Sequence, residues 1–206
     1  MAFHYPNGKP FETQAQSKLT PTTNYGSRGM TLEEEINLSN QYYLDADIAV
    51  VHKKPTPIQI VKVDYPKRSQ AVIKEAYFRT PSTTDYNGVY RGFYLDFEAK
   101  ETKNKTSFPL KNFHAHQIKH MQQCLKQDGI CFVVMRFVTL KRLFVYPASD
   151  LIAIWHAATV DDGRKSIPLT TIEHDGFELT PQLQPLIPYL TGVDWLIQTK
   201  RGKNHE

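Results

Sequence analysis

Cysteine is scarce in this 206-residue chain, where Cys124 and Cys131 are the only two. Their spacing matches no zinc motif and nothing requires them to pair, so neither a zinc finger nor a disulfide framework organises the fold. Both are expected to be buried thiols. Long apolar runs are missing too. The longest are far too short to cross a bilayer, which leaves no membrane partner. The N-terminus lacks the charged-then-apolar pattern of a secretory signal, and this predicts a cytoplasmic protein. No internal repeat is visible. Net charge is only +4, which by itself says nothing about nucleic acid. What is present is a 40% hydrophobic fraction, enough for a real core, in a length that suits one domain with an insertion or tails.

Residues 1–29 are rich in Pro, Asn, Gln, Ser, Thr and Gly without an apolar period, and are expected to form a mobile N-terminal segment. The main domain is placed at 30–198 and a basic, frayed tail at 199–206. A capping box at Thr31-Leu32-Glu33-Glu34 starts a helix that buries Leu32, Ile36, Ser39 and Tyr43 and ends near Leu44. Ile48–Val51 reads as a short strand. Residues 58–63 suggest a strand ended by Asp64-Tyr65-Pro66, and 71–78 a second strand or short helix. A helix over about 113–127 is capped by Asn112, with Gln117, Met121, Cys124 and Leu125 on its buried face. His114, His116 and His120 cluster on that helix and are read as surface or core residues. Ile130–Val134 is a continuous apolar run, as a buried central strand requires. A strand at Leu143–Tyr146 and a helix from Ser149 to about Ala158 follow. Pro181, Pro185 and Pro188 argue against long elements beyond residue 160. The order predicts an α/β fold with a mixed central sheet flanked by helices.

Charge is unevenly placed. From His52 to Arg79 seven basic residues, including Lys53, Lys54, Lys62, Lys67, Arg68 and Lys74, face two acids, a local net of +5. The plain reading is a solvated surface loop. The alternative is an inserted arm over about 54–80 that grips a phosphate backbone, with basic residues among aromatics.

The most informative stretch is 83–100. Asp96-Phe97-Glu98-Ala99-Lys100 alternates with a period of two, so a strand would place Leu95, Phe97 and Ala99 in the core and Asp96, Glu98 and Lys100 on the other face. If Arg91-Gly92 is the hairpin loop, Asp85 lies opposite Glu98 and Thr83 opposite Lys100. Opposed Cβ atoms are about 4.5–5.5 Å apart, close enough for two carboxylates to share one divalent cation. Hard oxygen ligands suit Mg²⁺, and a lysine beside the ion fits phosphodiester hydrolysis. Asn87-Gly88 is a competing type I′ turn that would pair Asp85 with Tyr90 and leave Glu98 without a partner. The Arg91-Gly92 register explains both carboxylates, with Asn87-Gly88 then a bulge.

Asp, a spacer and (Asp/Glu)-x-Lys form the pattern of the PD-(D/E)xK nucleases, although Glu-x-Lys recurs on many ordinary strands. The longer words are more specific. His52-Lys53-Lys54-Pro55-Thr56-Pro57, Val63-Asp64-Tyr65-Pro66, residues 82–92, Asp96–Thr102, Phe108–His114 and Asp128–Phe132 resemble the RecU family of bacterial Holliday junction resolvases. So do Tyr5–Lys9 and Arg28–Glu33. The resemblance is dense over about 3–135 and thins beyond it. It implies a homodimeric, Mg²⁺-dependent endonuclease, with Mn²⁺ as a substitute ion, that cuts opposed strands of four-way junction DNA and leaves 5′-phosphate ends. It implies a restriction-endonuclease-like core with a protruding stalk at 54–80, and RecA as a protein partner. Its metal ligands map onto Thr83, Asp85, Glu98 and Gln117, and its catalytic lysine onto Lys100. Arg28 joins the DNA-binding set, and Glu33 is an accessory acid. Two rival readings of the sequence remain: a nuclease of ordinary duplex DNA, and a junction-binding protein whose acidic strand face is structural.

Overall fold

In the computed structural model the described residues are 29–67, 70–79, 82–160 and 163–203. The expected N-terminal segment, including Arg28, falls on residues outside that set, as does Arg68. The chain divides into Met1–Met30 and Thr31–Glu206, and every element below belongs to the second unit.

The first helix, α1 (Leu32–Asp45), begins where the capping box places it. Thr31 N–H donates to Glu34 Oε2 at 2.7 Å, and Glu34 N–H returns a bond to Thr31 Oγ1 at 3.2 Å. Two donors that a helix start would leave orphaned are thereby satisfied. Leu32, Ile36, Ser39 and Tyr43 are all buried, as the helical period requires. The next strand, β1 (Val50–Lys53), starts two residues later than expected. Ile48 and Ala49 are still engaged at the helix end, where both N–H groups donate to the Tyr43 carbonyl.

Six strands form the central sheet, in the order β1, β4 (Tyr86–Tyr90), β5 (Phe93–Thr102), β7 (Ile130–Phe137), β8 (Arg142–Pro147) and β10 (Phe177–Leu179). β5 and β7 run parallel and the other neighbours antiparallel, so the sheet is mixed. The parallel pair needs a crossover, supplied by β6 (Ser107–Pro109), a 3₁₀ turn at Leu110–Asn112 and α2 (Ala115–Leu125). Leu95, Phe97 and Ala99 enter one core with α1 and α5 (Tyr189–Lys203). Ile118 and Met121 of α2 and Leu151 and Ile152 of α3 (Ala148–Val160) build the other core with Cys131, Val133 and Met135. Tyr86, Phe97 and Phe132 stack across three adjacent strands, with centroids 4.8 and 4.6 Å apart. That column ties β4, β5 and β7 into one register. Both cysteines are free thiols, with Cys131 buried and Cys124 half-buried.

Several elements differ from the sequence reading. His114, not Asn112, precedes α2, because the intervening 3₁₀ turn uses Asn112 to reach the Glu101 carbonyl. Asn87-Gly88 is no bulge, since β4 pairs with β5 without interruption. Gly88 is required by β1 instead: a Cβ there would lie 2.1 Å from the Val50 carbonyl oxygen. The prolines at 181, 185 and 188 all precede the 15-residue α5, and Lys200–Lys203 lies within it. A small sheet of β6 with β9 (Ser166–Pro168), and the short helix α4 (Leu169–Asp175), complete the fold.

Between β1 and β4 the basic segment forms its own two-stranded antiparallel sheet, β2 (Ile58–Lys67) with β3 (Gln70–Phe78). β2 continues past Pro66, where a register irregularity between Asp64 and Lys67 accommodates the missing donor. Among the described side chains of this ribbon only Val63 is half-buried, and the rest are exposed.

Candidate active site

The β4–β5 turn decides the site's geometry. Arg91 has φ 49° and Gly92 φ 81°, the left-handed pair a type I′ hairpin needs. Pairing runs from Tyr90 opposite Phe93 to Tyr86 opposite Phe97, and one step further sets Asp85 against Glu98. The Asp85 N–H donates to Glu98 Oε2 at 3.2 Å. Glu98 is fully buried, while Asp85 and Lys100 are half-buried. Lys100 Nζ lies 2.6 Å from Glu98 Oε1, a close charge contact. Burial pushes the Glu98 carboxyl up to about 8, and the neighbouring Asp85 adds to the rise against the opposing pull of Lys100.

Thr83 is half-buried and donates its hydroxyl to the Thr84 carbonyl at 3.1 Å, which leaves the Oγ1 lone pairs open. Gln117, in the first turn of α2, is buried, and its Oε1 accepts from His114 N–H at 3.0 Å. An amide oxygen has a second lone pair to offer. An open groove of about 530 Å³ reaches the site at Lys100 and is lined in part by Glu33, Asn112 and His114. Glu33 holds Lys53 in an ion pair at the surface. His116 stacks on His114 and is held below its ordinary pKa by burial, then by His114 and Lys100. The sequence reading placed His116 on the surface or in the core. Its nearness to Lys100 and Asp85 is a tertiary result with no sequence signal.

Asp96, two residues before Glu98 on the same face, is also fully buried. Its Oδ1 accepts from Thr84 Oγ1 at 2.5 Å, and its Oδ2 from Lys54 Nζ at 2.9 Å and Tyr94 OH at 3.0 Å. His120 Nε2 lies 3.0 Å from the same Oδ2, and Cys124 Sγ 3.6 Å from that nitrogen. Asp96, His120 and Cys124 thus gather three ligand-type atoms within 4.8 Å. Lys54 already supplies the cation here, and both oxygens are covered by donors, so the group reads as a hydrogen-bonded network.

The remaining basic candidates divide by placement. Lys54 is turned inward to Asp96, with its side chain 19% exposed. Lys62 and Lys74 are exposed on the ribbon, Lys74 near Asp64 at 3.7 Å. The side chains of Lys67 and Arg68 and all of Arg28 lie outside the described residues.

Two carboxylates, a hydroxyl and an amide oxygen are a hard donor set that fits Mg²⁺ or Mn²⁺ and not a soft ion.

A family model described as RecU, Recombination protein U, matches residues 27–195. A Holliday junction resolvase RecU from Lacticaseibacillus casei (strain BL23) is 72% identical over 205 residues, covering 98% of each chain. Proteins of the same name from Latilactobacillus sakei subsp. sakei (strain 23K) and Levilactobacillus brevis (strain ATCC 367) are 66% and 60% identical. They span 96% of this chain and 97% and 100% of their own lengths. A match of that extent, to a chain whose hairpin sets Asp85 against Glu98 with Lys100 alongside, has one consequence: the chain belongs to the RecU family.

Proposed function

We propose that this protein is a divalent-metal-dependent endonuclease that resolves four-way DNA junctions by cutting opposed strands. The observation that carries the reading is the cross-strand pair Asp85–Glu98 with the Lys100 ammonium in contact, in a chain 72% identical to a named junction resolvase. Asp85 and Glu98 would hold Mg²⁺, with Thr83 and Gln117 completing or orienting its shell. When bound, the ion supplies charge to a non-bridging phosphate oxygen and lowers the pKa of a water. Lys100 sits at the edge of the groove, where its ammonium can orient the attacking water and offset charge gathering on the phosphate. Burial of Glu98 keeps bulk water from screening that charge. The products are a 5′-phosphate and a 3′-hydroxyl.

The exposed basic ribbon is the proposed stalk, meeting the junction through Lys62, Lys67, Arg68 and Lys74, with Lys53 and Arg28 as further phosphate contacts. Glu33, in the groove beside Lys100, is proposed as an accessory acid. A homodimer would present two sites to a two-fold substrate. A RecA recombinase is the proposed protein partner, and the cytoplasm the compartment. Cleavage of a four-way junction beside a linear duplex of the same sequence tests the reading. Mg²⁺-dependent symmetric nicking of the junction is expected, and equal cutting of both substrates would reduce the protein to a duplex nuclease.

A further inference from the structure

Asp96 shares a strand face with Glu98 and Lys100, yet it touches neither groove nor proposed ligand oxygen. Its partners are Tyr94 on its own strand, Thr84 just before β4, Lys54 just after β1 and His120 on α2, and the last three adjoin the proposed metal ligands. Thr84 stands between Thr83 and Asp85 and is itself buried. Lys54 bridges Asp96 Oδ2 and Thr84 Oγ1 at 2.9 and 3.1 Å, while its backbone N–H donates to the Asp85 carbonyl at 2.7 Å. His120 lies on α2 one turn beyond Gln117. Residues 83–85 precede β4 and have no strand partners of their own. Beyond their direct attachment to β4, these side-chain bonds and the two bonds of the Asp85 backbone hold them in place.

We infer that Asp96 is a positioning residue: through Thr84, Lys54 and His120 it fixes the 83–85 segment and α2 relative to Glu98, and so sets the spacing of the metal-binding oxygens. A buried carboxylate suits the task because it accepts several bonds at once and is costly to leave with fewer. The inference rests on the reading of Thr83, Asp85, Glu98 and Gln117 as the metal site.

Calorimetric titration of the DNA-free, full-length protein with Mn²⁺ tests it, each variant held well below its own unfolding transition. Thr84→Val keeps the branched shape and removes the hydroxyl. It should weaken Mn²⁺ binding about 10–100-fold, the usual effect of losing a bond behind a ligand. Thr84→Ser restores the hydroxyl and should bind within about twofold of wild type. Lys54→Met, which leaves its backbone bond to Asp85 in place, should weaken binding as well and carries the test if Thr84→Val does not fold. A role confined to stability would lower the melting temperature and leave the affinity of the folded protein unchanged. Wild-type affinity in both Thr84→Val and Lys54→Met, or equal weakening by Thr84→Ser, overturns the inference. Glu98→Gln separates the two readings: if it binds Mn²⁺ like wild type, the metal-site assignment itself has failed.

Discussion

At Glu98 the cost of ionising a buried carboxyl governs how the site answers to pH. Its folded-state pKa is raised to about 8, from an ordinary value of 4.5. Between these values the folded protein holds a proton that the unfolded chain has lost. Stability in the metal-free protein therefore falls as pH rises through the window from about 4.5 to about 8, by on the order of a few kcal/mol. Glu98→Gln should flatten that decline in thermal melts taken across the same range. A metal ion requires the ionised form, so binding at pH 6.5 should expel close to one proton and binding at pH 9.5 almost none. Titrations with Mn²⁺ in buffers of different ionisation enthalpy measure this directly. A proton count near zero at pH 6.5 would mean that Glu98 is already ionised. Lys100→Ala belongs to the same scale. In the proposed mechanism its ammonium acts on charge that develops during cleavage, so single-turnover rate should fall about 10²–10³-fold with little change in metal affinity. Lost metal binding with unchanged chemistry would reverse those roles.

Among the elements, β5 carries both the proposed chemistry and part of the core. Phe97 is fully buried in the stack between Tyr86 and Phe132, on the face opposite Asp96 and Glu98. Phe97→Ala should cost about 3–5 kcal/mol in urea unfolding. A loss below about 1 kcal/mol would mean that the aromatic column does not hold the strands together. This hairpin was legible in the sequence because its evidence is local: a period of two along the strand and a glycine at the turn. Gly88 was misread for the complementary reason. Its need for a missing side chain comes from β1, some 37 residues earlier in the chain. The Asp96 network was not legible either, since Lys54 and His120 lie 42 and 24 residues away and no spacing rule joins them. Helix α5 was obscured by prolines that stop just short of it. The ribbon was legible as a charged insertion, and its chemistry is testable as an element. Replacing Lys67, Arg68 and Lys74 with neutral residues should reduce the slope of log affinity against log salt by about 0.9 for each phosphate left without its cation. Junction affinity should fall further than affinity for linear duplex. Equal losses on both would make the ribbon a non-specific basic patch.

For the molecule as a whole, the mixed sheet sets two buried acids of one strand at the junction of β4, β5 and α2, and the ribbon leaves the sheet just beside Lys54. The central claim is that Asp85 and Glu98 together hold the ion that cuts a four-way junction. It is tested most directly by single-turnover cleavage of a four-way junction in Mg²⁺, with Glu98→Gln beside the wild-type protein and junction binding measured in parallel. The account predicts a fall in cleavage of about a hundredfold or more with binding retained, because the substitution removes charge from the site while phosphate contacts elsewhere persist. Near-wild-type cleavage by Glu98→Gln would contradict it.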